Sequence, residues 1–127
     1  MKHIGGFALV LLLAGVLTLH GEQKEKKKER EVTVKGEVVD VACYIAQGAK
    51  GESHKDCAEA CAKAGGALGI LTSDGKLYVS LLPDNHSAGP NAILMDHIAQ
   101  NVEATGYVRS KGGVNAIMIK SVAAAKD

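Results

Sequence analysis

Aromatic side chains are scarce in this sequence: its 127 residues include no Trp, one Phe and three Tyr. The core must therefore be built from Val, Ile, Leu and Ala. A single-stranded nucleic-acid surface, which needs aromatic stacking platforms and a basic groove, is argued against on composition. Net charge is scarce as well. Fifteen basic residues against 14 acidic ones leave +1, too little to steer the chain to a polyanion or an anionic membrane. No nucleic-acid partner is expected. The chain also lacks a phosphate-binding Gly-rich loop, a Gly-x-Ser-x-Gly elbow, a His-Glu-x-x-His pair and a Cys-x-x-Cys-His haem motif. The expectation is a protein that is not an enzyme.

The first residues are present in a recognisable order. "MKH" is a short basic start, and Ile4 to Leu19 is a continuous apolar run of 16 residues. That run is short against the ~20 needed to cross a bilayer. Residues 1–21 are read as a signal peptide, which places the protein in the periplasm or outside the cell. No membrane association is expected unless this segment stays uncleaved as an anchor. Glu22 to Glu31 follows with five positive and four negative charges and nothing apolar, so residues 22–31 are read as a solvated linker.

Length then leaves room for one domain, over residues 32–123. Val32 to Cys43 is rich in β-branched residues and alternates in its first half, which predicts a strand, with Gly36 marking a bulge or bend. Ala67 to Leu82 holds two apolar runs divided around Asp74-Gly75, a hairpin signal in which both turn positions tolerate positive φ. Pro83 to Pro90 has loop composition. Asn91 to Gln100 has the apolar spacing of a short helix, and Val102 to Ala123 offers two strands around Ser110 to Gly113.

Strand, helical insert, two strands, helix and two strands is the order of an OB-fold, a five-stranded Greek-key barrel. On "VKGEVVD" at its start and "VEATGYVRSKGGVNAIMIKSV" at its end, the chain resembles small exported bacterial proteins of OB-fold type over residues 32–122. The resemblance implies a mainly β, OB-fold-like barrel and carries no activity with it.

All three cysteines lie in the insert at residues 43–66, between the first two strands. Ser53 to Gly66 reads as a helix, capped by Ser53 with Asp56 three residues on and ended by Gly65-Gly66. At about 100° per residue, His54, Cys57 and Cys61 fall on one face. Residues four apart on a helix have Cβ atoms ~5–6 Å apart, too far for a disulfide between Cys57 and Cys61. Cys43 can reach across the insert instead. Cys43, His54, Cys57 and Cys61 then make a tetrahedral Cys3His set for one soft metal ion, zinc or copper. The Cys-x3-Cys spacing is also similar to that of copper-handling domains of the cytochrome oxidase assembly type and of the binuclear copper subunit of that oxidase. Two other accounts stay open: one structural disulfide from Cys43 with a third thiol left over, and inert or redox-sensing thiols. On the first account the protein handles metal in the cell envelope with a donor or acceptor protein as partner. On the second it is a disulfide-stapled interaction or ligand-binding module without metal. His86 and His97 read as surface histidines, and Tyr44, Tyr78 and Tyr107 as packing residues with wet hydroxyls.

Overall fold

The computed structural model describes residues 29–81 and 89–126. The expected signal peptide, most of the linker, and His86 lie outside these residues. What is described is mainly β, with a five-stranded mixed sheet and two helices. The strands are β1 (Val32–Asp40), β2 (Leu68–Leu71), β3 (Leu77–Leu81), β4 (Asn101–Lys111) and β5 (Val114–Ala124). The helices are α1 (Val41–Gln47) and α2 (Lys55–Lys63), with a 3-10 turn at Glu52–His54 leading into the second. Strand order around the sheet is β1-β2-β3-β5-β4, closed by pairing of β4 with β1. All neighbours are antiparallel except β3 and β5, which run parallel.

β1 serves two partners. Its first part, Val32 to Glu37, pairs with β4, and Glu37 to Asp40 pairs with β2. The change of partner falls next to Gly36, whose missing side chain lets the Leu71 carbonyl pass against it. Burial along β1 alternates at first and then becomes continuous over Val38, Val39 and Asp40. That last stretch is covered on both faces, by the barrel interior on one side and by the insert on the other. The core joins Val38, Leu68, Ile70, Val102 and Ile117 from the strands to Ala58 and Ala62 from α2. It contains no tryptophan and needs none, because the closed sheet is small enough for branched aliphatics to fill.

Three expectations are corrected. The first strand ends at Asp40, not at Cys43, because the Asp40 carboxylate accepts a bond from the Cys43 backbone N–H at 2.6 Å and so starts a helix. The helix expected over Ser53 to Gly66 is α2 alone, and Ser53 does not cap it: His54 sits at the cap without a side-chain bond. Its end is as expected, with Gly65 at φ 99°. Asn91 to Gln100 forms turns and a 3-10 segment, Met95–His97, in place of an α-helix. Tertiary bonds win there: Val38 N–H donates to Gln100 O at 3.0 Å, and Ala99 N–H donates to Val38 O at 2.9 Å. Holding that bridge requires Ala99 at φ 63°, while Leu94 and Ile98 plug the end of the core.

Both hairpins are present. The one around Asp74-Gly75 uses a five-residue connection, Thr72 to Lys76, in which Gly75 alone has positive φ. The β4–β5 hairpin turns through Gly112-Gly113, both at positive φ, as a tight two-residue connection demands. The chain just before β1 also lies against the barrel: Glu29 pairs with Arg109, and Glu31 with Lys120.

Candidate metal centre

Asp40 is the residue on which this site is built. It is 1% exposed at the end of β1, and its Oδ1 holds the first turn of α1, which places Cys43 beside it. α1 ends at Gly48, whose N–H donates to Tyr44 O at 2.8 Å with φ 69°. The chain then returns toward β1, where the Gly51 N–H donates to the Glu37 carboxylate. From that anchor the 3-10 turn carries His54 to the start of α2, with Cys57 in its first turns and Cys61 one turn further on. Ala58 and Ala62 bury the other side of α2 against the barrel, so the orientation of the cysteine face is set by packing.

The ligand atoms fall into two overlapping triads. Those of Cys43, His54 and Cys57 all lie within 4.8 Å of one another, and so do those of Asp40, Cys43 and Cys61. Cys43 belongs to both. The four residues expected from the sequence therefore lie close enough to hold a metal ion, but Cys61 is grouped with Cys43 and Asp40 and not with His54. Asp40 was missed because it reads as the last polar position of a strand. Its signal was the Asp-x-x-Cys spacing of 40 and 43, in which a side chain caps the helix on which the cysteine sits. His97 stands outside both groups.

All three cysteines are free thiols, with Cys57 exposed and Cys43 and Cys61 half-buried. The Cys43 thiol is pushed up to about 12, first by its contact with the Asp40 carboxylate, then by desolvation. Cys61 is also pushed up, mainly by desolvation, with the charges of Cys57 and Asp40 adding to it. These groups resist becoming anions together. A cation among them reverses that balance, because a coordinated thiol loses its proton outright.

Two buried polar atoms at this place have no hydrogen-bond partner, Asp40 Oδ2 and His54 Nε2. Both residues also line a cavity of about 10 Å³, the size of one water molecule, between β1 and the 49–58 segment, and none of the three cysteines borders it. Gly66 closes the other side: a Cβ there would meet Cys61 O at 2.9 Å and Asp40 Oδ2 at 3.2 Å. The donor set is three sulfurs, one imidazole and one carboxylate, which suits zinc-class or soft ions and not magnesium or calcium. Comparison with protein-family models, characterised proteins and solved structures returns no match for this chain.

Proposed function

We propose that this chain is an exported protein of the cell envelope that binds a soft metal ion through the cysteine–histidine cluster of its first inter-strand insert. The observation that carries the reading is the convergence of Cys43, from α1, with His54 and Cys57, from the start of α2, to within 4.8 Å. Zinc and copper(I) are the ions such donors select. The scaffold is read as OB-fold-like, which is supported by the strand order β1-β2-β3-β5-β4 with β3 parallel to β5. Export is supported by the basic start and the apolar run of Ile4 to Leu19. The role is then storage, sensing or delivery of the ion, with a metal donor or acceptor protein of the envelope as partner. No catalytic role is assigned.

A disulfide-stapled interaction module is the second reading, favoured by the closeness of Cys43 to both Cys57 and Cys61. One experiment separates the two. Periplasmically expressed protein is weighed by native mass spectrometry, then denatured and alkylated, with elemental analysis alongside. Retained metal with three alkylated cysteines supports the metal centre. A metal-free chain two hydrogens lighter with one alkylated thiol replaces it with the stapled module.

A further inference from the structure

We propose that the cluster holds two divalent ions of the zinc class, bridged by the Cys43 thiolate, with Asp40 and Cys61 completing the second position. This deepens the metal reading and rests on it. The first observation is the division of the ligand atoms. They form two compact triads, His54–Cys43–Cys57 and Asp40–Cys43–Cys61, that share only the Cys43 sulfur. A thiolate sulfur has lone pairs enough to bridge two ions. The second observation is Asp40 itself. Its side chain is 1% exposed, and while Oδ1 caps α1, Oδ2 is buried with no hydrogen-bond partner. An ionised carboxylate oxygen in such a place is costly unless a cation or donor meets it, and the Asp40 carboxylate has the Cys43 and Cys61 sulfurs, two metal-ligand atoms, within 4.8 Å. Gly66 packs close to Oδ2, and a Cβ there would lie 3.2 Å from it, so a larger residue would press on this oxygen.

Charge balance is in keeping with two ions, and the donor types give their class. Three thiolates and one carboxylate carry four negative charges with a neutral imidazole; one divalent ion cancels half of them and two cancel all. The carboxylate points away from copper(I), which prefers sulfur, and toward zinc, which accepts Cys, His and Asp together. Zinc enters as thiols leave their protons to solvent, so loading releases up to three protons per chain and changes no oxidation state.

The test is a titration of the reduced full-length protein with zinc, counted by native mass spectrometry, and with cobalt(II), followed by its thiolate charge-transfer absorption. Wild type is expected to saturate at two ions per chain. Asp40→Asn keeps the oxygen that caps α1 and removes the charge, and is expected to saturate at one. Cys61→Ser, which leaves the cap untouched, is expected to do the same, and circular dichroism of both variants confirms that the fold is retained. Saturation of wild type at one ion overturns the second position and leaves the single-ion reading standing. Two ions retained in both variants also overturn it. No ion bound to reduced wild type removes both readings at once.

Discussion

Gly106 shows how much a single position decides here. It sits at the register shift between Thr105 and Gly106, where β4 passes the Met118 backbone so closely that a Cβ would overlap its carbonyl oxygen. Gly106→Ala is expected to destabilise the fold by about 1–3 kcal/mol through forced backbone movement, read as a lower urea midpoint. His54 gives the opposite case. It is half-buried and makes no capping bond, so His54→Ala is expected to leave the metal-free protein within about 0.5 kcal/mol of wild type. Metal affinity, measured by competition with a coloured chelator, is expected to fall about 10-fold or more, since losing even an outer partner of a ligand costs that much. A matching loss of metal-free stability would instead make His54 a packing residue. At this scale the cysteines and histidine were legible in the sequence because their residue types carry the chemistry. Asp40 was not, because a carboxylate at the end of a strand looks like any solvated turn until the burial around it is known.

Between elements, Asn91 does what no run of sequence announces. Its Oδ1 accepts from Leu68 N–H at 2.9 Å and its Nδ2 donates to Gly66 O at 2.6 Å, tying the segment after β3 to the end of α2 and the start of β2. Asn91→Ala leaves those groups without partners beside fully buried Leu68, and is expected to cost about 1–3 kcal/mol in urea unfolding. The β2–β3 connection responds to acid. Asp74 is held below its ordinary value of 3.8 by the Thr72 hydroxyl first and then by Lys76, whose ammonium lies 3.0 Å away. With the folded value below the unfolded one, the stabilisation is complete above 3.8 and is lost as the pH falls through the folded value. The difference in urea midpoint between wild type and Asp74→Asn is therefore expected to shrink on going from neutral pH into the acid range. A gap that stays constant would place the effect in the turn backbone and not in the charge. Strands were readable from alternation and the β4–β5 turn from its glycine pair. The segment over Asn91 to Gln100 was not, because its helical spacing is outweighed by the bridge to Val38.

Across the whole molecule, the proposed ions would join the end of β1, the start of α1 and the exposed side of α2, elements otherwise tied by the Asp40 cap on α1, the Gly51–Glu37 bond and the packing of Ala58 and Ala62. Metal bound only by the folded state stabilises it by mass action, by about 2.7 kcal/mol at a free concentration 100 times the dissociation constant. Zinc is thus expected to raise the thermal midpoint of the reduced protein, and a chelator to return it to the metal-free value. An unchanged midpoint under saturating zinc would count against the cluster as a metal centre.

What the sequence determined alone was local. Alternating β-branched residues specified strands, Gly112-Gly113 specified a turn, and an Ala-rich stretch ending in Gly65 specified α2 with its cysteine face, because each depends on the φ and ψ preferences of neighbouring residues. Tertiary structure decided the rest. Closure of the sheet through β1 and β4, conversion of the expected second helix into a buried bridge, and the division of the cluster into two triads sharing Cys43 all depend on residues far apart in the chain. The reason is physical: the burial of Asp40 and the bond that holds Ala99 at positive φ both come from distant segments, and residue order does not record those distances.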